Sequence, residues 1–206
     1  MKAFFIYIVF ILFSSCCHGQ NQDFGVAGLK GFSAEQLVNL SNGNIVFHNA
    51  DNSEDRNSLI EASIVFDASP EKTWELISKT DDQPLYIQQC KSIKVINKTA
   101  SKAFEVHCVG NWLATYTYGV IQNYLPEDMC VYWILDTSYS KNDLNTLGGY
   151  WQLYPYGKGK TLARFGSRVS FKNVPEFVEN MFKKGGVKDA LASIKNYVDS
   201  GGTYRK

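Results

Sequence analysis

Between residues 91 and 171 six segments rich in apolar, β-branched and aromatic residues follow one another, at 93–97, 104–109, 113–124, 129–135, 149–154 and 161–171. Four of the links are short turn signals: 98–102, Gly110-Asn111, Pro126-Glu127-Asp128 and Tyr156-Gly157-Lys158-Gly159-Lys160. A longer loop covers 136–145. Parallel neighbours need a crossover of a dozen or more residues, so strands linked this tightly can only pair antiparallel. The chain is therefore expected to build an antiparallel meander, and such a sheet needs a helix or a second layer to cover its apolar face.

The flanks supply helices. Upstream, residues 59–66 (LIEASIVF) read as a further strand. Ser69 then stands where its hydroxyl can cap orphan amides, and Pro70 suits the first helical position because its missing N–H costs nothing there. Trp74 and Ile77 fall on one face of that helix, which 80–84 (TDDQP) ends. Earlier still, Ser33-Ala34-Glu35-Gln36 has the form of a capping box and opens a short helix through Leu40. Asn42-Gly43 stops it, and a short strand at 45–48 and a polar loop at 49–58 follow. Downstream, Pro175 starts a helix in which Phe177, Val178, Met181 and Phe182 recur at helical spacing. Gly185-Gly186 should interrupt or kink it. Beyond, Val187, Ala190, Leu191, Ile194 and Val198 form one stripe, with Lys188, Asp189, Lys195, Asn196 and Asp199 opposite. A long amphipathic helix closes the domain.

Residues 1–19 stand apart. Lys2 precedes an uncharged apolar run from Ala3 to Phe13 and then small residues, the plan of a secretory signal and shorter than a membrane span. Phe13-Ser14-Ser15-Cys16 resembles a bacterial lipoprotein box, which favours Leu where Phe13 stands, so lipidation of Cys16 and cleavage after Gly19 are both open. The expected location is periplasmic or secreted, with a membrane tether if Cys16 is lipidated. Residues 20–58 read as a linker followed by the short helix and strand. With 206 residues, 45% hydrophobic and 20% charged, the remainder suits one globular domain, 59–200. Loss of Lys2 takes the formal charge from +1 to 0, which is no footprint for a nucleic-acid binder. Cys90, Cys108 and Cys130 match neither a metal site nor a disulfide framework; small buried side chains with at most one bridge are expected.

The ordered series of a strand, Asp67-Ala68-Ser69-Pro70-Glu71-Lys72-Thr73-Trp74, the Pro84-Leu85-Tyr86 loop, Gly148-Gly149-Tyr150-Trp151-Gln152-Leu153 with Pro155 and Gly159-Lys160-Thr161, and a Pro-initiated terminal helix resembles the START and birch-pollen-allergen (SRPBCC) superfamily. Within it the chain is most similar to the polyketide cyclase/dehydrase and coenzyme-Q-binding branch, over about 59–198. The resemblance implies an α+β helix-grip fold, with a curved antiparallel sheet wrapped around a long C-terminal helix. It also implies a mainly apolar cavity between them, suited to a lipid, an isoprenoid or another hydrophobic small molecule. Binders, transfer proteins and a few enzymes share that fold, so it selects no reaction.

Strand alternation then assigns faces. In the last strand Thr161, Ala163, Phe165, Ser167, Val169 and Phe171 are expected inward, leaving Arg164 and Arg168 to solvent. Trp151 and Leu153 should point inward from the preceding strand, and Val131, Trp133 and Leu135 from the one before. Phe104, Val106 and Cys108 are expected to form another wall, with Glu105 and His107 outside. Trp112, Ala114, Tyr116 and Tyr118 share a face whose direction alternation leaves open, inner wall or exposed aromatic patch. The expected cavity lining is Phe104, Val106, Tyr116, Tyr118, Val131, Trp133, Trp151, Leu153, Ala163, Phe165, Phe177 and Met181. Aromatics on strands also serve as plain core, and spacing alone does not separate the two roles.

Catalytic groupings are thin. The histidines are His18, His48 and His107. His107 and Cys108, as strand neighbours, point to opposite faces and form no dyad. Asp81-Asp82 reads as a solvated turn, Lys183-Lys184 as a surface pair that could also meet an anionic headgroup. HExxH, P-loop and GxSxG patterns are absent from the sequence. The expectation is a monomeric binder or carrier of a hydrophobic small molecule or lipid, with no cofactor and no nucleic-acid partner. Its alternatives are an aromatase/cyclase- or dehydratase-like enzyme using cavity tyrosines with a carboxylate, and an interaction module without a ligand.

Overall fold

The computed structural model describes residues 23–48, 59–111, 114–174 and 185–206. The six expected strands between 91 and 171 form as β3 (Cys90–Lys98), β4 (Lys102–Gly110), β5 (Thr115–Leu125), β6 (Cys130–Leu135), β7 (Leu144–Tyr156) and β8 (Lys160–Phe171). Each pairs antiparallel with its sequence neighbour. The strand upstream, β2 (Ile60–Phe66), pairs with β8, and the two-residue β1 (Val46–Phe47) pairs with β2. The eight-stranded sheet has the order β1-β2-β8-β7-β6-β5-β4-β3. Gly157 (φ 56°) and Gly159 (φ 69°) take the left-handed conformations that the β7–β8 turn requires.

The helix starts match their sequence signals. In α1 (Ala34–Ser41) the Ser33 hydroxyl accepts from the Gln36 amide, and the Gln36 side chain accepts in turn from the Ser33 amide. In α2 (Pro70–Ile77) Ser69 accepts from the Lys72 amide, with Pro70 in the first turn. A 3₁₀ turn (Thr80–Asp82) and the four-residue α3 (Gln83–Tyr86) lead into β3.

The terminal helix α4 (Val187–Asp199) lies on the inner face of the sheet and buries Leu191, Ile194, Tyr197 and Val198. Gly185 and Gly186 form a π-helical turn into it, and Gly186 keeps helical dihedrals, so the glycines widen the helix here. Its C-terminal half is pinned. Lys195 Nζ donates to the Val65 carbonyl (2.6 Å) and to Asp199 (2.7 Å), and Asp199 accepts from the Asp67 amide (2.8 Å). The Tyr197 hydroxyl donates to Asp82 (2.8 Å), and its ring stacks on Tyr86 at 4.0 Å. Asp82 is thus an anchor for α4 and not a solvated turn residue; Asp81 alone is exposed. This is the helix-grip α+β architecture, with the main core (Ile64, Phe66, Leu76, Trp151, Leu153, Leu191) between sheet and helix.

A second core lies on the outer face, where Leu40, Val46, Val65 and Leu162 pack with Phe32 and Tyr154. Here the structure corrects the expectation that Arg164 meets solvent. Its side chain leaves the outer face as alternation requires, but residues 23–32 and His48 cover it, and it is only 4% exposed. Arg164 donates to the Gly28 carbonyl (2.8 Å), the Lys30 carbonyl (2.6 Å), Ser63 (3.2 Å) and His48 Nε2 (3.0 Å). The rings of Phe24 and Phe32 flank its guanidinium, at 4.6 and 3.9 Å. Arg168 is half-buried.

The His48–Arg164 contact carries a pH dependence. Guanidinium N–H groups can only donate, so His48 Nε2 is an acceptor and the imidazole is neutral. Burial, and then the Arg164 charge, hold its pKa below the usual histidine value. The unfolded chain therefore binds this proton at higher pH than the folded one. The stabilisation is complete above about pH 6.5 and is lost as pH falls through the depressed folded value. Urea midpoints measured from pH 7.5 to 5 should be flat at the upper end and decline at the lower. His48→Gln, whose carbonyl can still accept from Arg164, should flatten that decline.

Candidate functional site

Between the inner face of β4–β8 and the first turns of α4 lies a cavity of about 250 Å3. The walls differ in chemistry. β6, β7 and β8 contribute Val131, Trp133, Leu147, Trp151, Phe165 and Phe171, while α4 contributes Val187, Ala190, Leu191 and Ile194. Phe165 packs between the two indoles, 4.7 Å from Trp151 and 6.0 Å from Trp133. Gly149 makes this possible, because a Cβ there would sit 2.2 Å from Trp133 Cζ2. The facing wall, from β4, β5 and the segment between α2 and β3, carries polar groups: Thr80, Gln83, Gln89, His107, Tyr118 and Gln122.

That polar wall overturns the face expected for β4. Glu105 and His107 are 2% and 7% exposed and point inward, whereas Phe104, Val106 and Cys108 lie half-buried on the other face. The two-residue alternation holds with the opposite sense: the less apolar set of β4 is the inner one. Burial of the polar set is tolerated because its members satisfy one another. Thr80 Oγ1 donates to Glu105 Oε1, and His107 Nε2 lies 2.7 Å from Glu105 Oε2. His107 Nδ1 has no hydrogen-bond partner among the described residues.

Of the twelve residues expected to line a cavity, Tyr118, Val131, Trp133, Trp151 and Phe165 do so. Leu153 and Ala163 are on the same inner face but lie in the packed core away from the cavity. Tyr116 shares the face of Tyr118 and packs on Phe171 at 4.7 Å, beyond the lining. Phe104 and Val106 are on the opposite face. Phe177 and Met181 lie outside the described residues, as do Cys16, Trp112, the Lys183-Lys184 pair and the whole 1–19 segment. Sequence reasoning missed Thr80, Gln89, His107 and Gln122. For Gln122 a signal existed, since the parity that turns Tyr118 inward also turns Val120 and Gln122 inward.

Two groups in the lining are unavailable for nucleophilic chemistry. Burial pushes the Cys90 thiol up to about 11, so it stays protonated at neutral pH, and it raises the Tyr118 hydroxyl above the ordinary phenol range. Cys90 and Cys108 are both free thiols. Among the described residues no group of three or more His, Cys, Asp or Glu converges as a metal site, and no helix is long and apolar enough to cross a membrane. The arrangement can hold a small molecule with an apolar body against the indoles and a polar edge toward β4 and β5. His107, backed by Glu105, is the group there able to accept or donate a proton.

Residues 66–195 match the family described as polyketide cyclase/dehydrase and lipid transport. The chain belongs to that family. The matched span runs from the end of β2 to within α4 and takes in every lining residue described above. No curated protein matches the sequence. Among solved structures, the family fold is shared with a STAR-related lipid transfer protein from Xanthomonas axonopodis (TM-score 0.61, 8% identity, 75% of this chain and 92% of that one). It is shared also with the Zhui aromatase/cyclase from Streptomyces sp. R1128 (0.59, 8%, 70% and 93%). A third is the lipid transfer and protein localization domain of human StarD13 (0.53, 14%, 74% and 82%). At these identities the likeness is one of fold.

Proposed function

We propose that the protein binds and carries a small hydrophobic molecule in the cavity between the sheet and α4. The observation that carries this reading is the cavity itself: about 250 Å3 of space beside Trp133, Trp151 and Phe165. A pocket of this size and lining suits a molecule with an apolar ring or chain. The similarity to lipid transfer proteins supports the same class of ligand. The apolar dye 1-anilinonaphthalene-8-sulfonate should bind with a blue-shifted emission, and apolar competitors should displace it. Native mass spectrometry of protein taken from its own cell envelope should show a co-purified small molecule. A protein that is always empty and takes up no apolar probe would sink the proposal.

A second reading, an acid–base enzyme acting on the bound molecule, is favoured by one specific observation, the buried Glu105–His107 pair at the cavity wall. Turnover lost in His107→Gln with ligand affinity retained would establish it. In either case the protein is taken as exported, on the strength of residues 1–19. Intact mass of the mature chain distinguishes a lipidated Cys16 from cleavage after Gly19.

A further inference from the structure

We propose that Cys130 of β6 is bridged to Cys17, so that the chain immediately after the candidate lipidation site is stapled to the outer face of the sheet. Cys130 is disulfide-bonded, whereas Cys90 and Cys108 are free thiols. The sequence has five cysteines, so within one molecule the partner of Cys130 is Cys16 or Cys17. A second copy would have to reach a side chain that is 0% exposed.

The path of residues 23–32 leads to this place. β6 turns Val131 and Trp133 toward the cavity, so Cys130 and Tyr132 face outward. Cys130 pairs with Gln152 and Gln152 with Arg164, which sets Cys130 two strands from the Arg164 anchor on the face that residues 23–32 cover. Followed backward, that segment gives its Lys30 and Gly28 carbonyls to Arg164, and the Phe24 ring then stands 6.1 Å from Tyr150. Tyr150 pairs with Tyr132 on β6. The stretch from Phe24 back to Cys17 spans up to about 23 Å when extended. From Tyr150 to Cys130, one strand over and two residues along, is only about 8 Å.

Chemistry separates the two candidates. Lipidation at Phe13-Ser14-Ser15-Cys16 makes a thioether of the Cys16 sulfur, which can then enter no disulfide, and it leaves the Cys17 thiol intact. The bridge rests on the reading of residues 1–19 as an export signal, because the pair must be oxidised. Two thiols lose two protons and two electrons as the S–S bond forms, and the disulfide of a thiol oxidoreductase outside the cytoplasm takes them up by exchange. Cleavage after Gly19 would discard both candidates, so the bridge also selects the processing site. Lipid and staple then sit on adjacent residues, and the acyl chains leave the protein beside β6, whose outward Ile134 is 44% exposed. The outer face of the sheet is thereby held toward the bilayer.

Disulfide mapping tests this on the full precursor expressed in a bacterial host and recovered from the cell envelope, with free thiols blocked by iodoacetamide in denaturant before any reduction. The expected result is blocking at Cys90 and Cys108 alone, with a cross-linked peptide joining Cys17 to Cys130 that a reducing agent separates. In Cys17→Ser, Cys130 should become blocked as well; if that variant does not accumulate, the wild-type map decides alone. Blocking of Cys130 in a mature wild-type chain that begins at Cys16 would overturn the bridge and leave export and lipidation standing. A mature chain beginning at Gln20 would overturn bridge and lipidation together and leave export standing. A chain that keeps Met1, with Cys130 blocked, would overturn export too. A link from Cys130 to Cys16, or a dimer that reducing agent dissolves, would overturn the assignment to Cys17.

Discussion

Replacing Arg164 by Met should lower the stability of the folded protein by about 3 to 5 kcal/mol in urea unfolding. The substitution leaves the Gly28 and Lys30 carbonyls without their donor, at roughly 1–3 kcal/mol for each buried unpaired group. It also removes the cation from between Phe24 and Phe32, worth about 0.5–2 kcal/mol. One process limits the loss. Residues 23–32 can lift off the sheet and let water reach those carbonyls, in which case the loss appears as an early opening of that segment. Trypsin then cuts after Lys30 much sooner than in the wild type, while the unfolding midpoint falls less. Either signature supports the anchor, whereas an unchanged midpoint together with unchanged proteolysis would refute it. Arg164→Lys should recover less than half of the loss, since a single ammonium cannot span two carbonyls and fill the slot between two rings.

This residue also shows where the sequence is silent. The strand series, the Ser33 and Ser69 caps and the glycine turn of β7–β8 rest on interactions within a few residues, so they are readable from spacing. Arg164 finds its carbonyl partners 136 and 134 positions away. Nothing in the polar, Gly-bearing composition of 23–32 distinguishes a docked strap from a linker. The β4 strand repeats the lesson at shorter range. Its two-residue period was legible, but which set faced inward depended on Thr80, 25 positions earlier, receiving Glu105. Hydropathy favoured Phe104 and Val106 for the inner face and was overruled by mutual satisfaction of polar groups. The candidate site divides the same way. Its aromatic half was predicted from the alternation of β6, β7 and β8, and its polar half was assembled by contacts that no local pattern encodes.

Ala190→Phe should abolish binding of apolar probes, with affinity falling at least 100-fold, while the protein unfolds within about 1 kcal/mol of the wild type. Ala190 is half-buried on α4 and lines the cavity, so a phenyl ring placed there enters space that is already present. Overpacking costs about 1–3 kcal/mol because a full core must move aside to admit new atoms. Here the added ring instead gains contacts with Trp151 and Phe165, and the cavity's missing contacts are restored. Ala163→Phe is the matched control: it lies on the same inner face, is 0% exposed and is not part of the cavity. It should pay the overpacking cost in full and, where it folds, keep its affinity within a few-fold. The opposite pattern, with binding intact in a folded Ala190→Phe protein, would move the ligand to another surface. The half-exposed row of Phe104, Ile121 and Ile134 on the outer face would then be the place to look, since these three residues stand side by side across β4, β5 and β6.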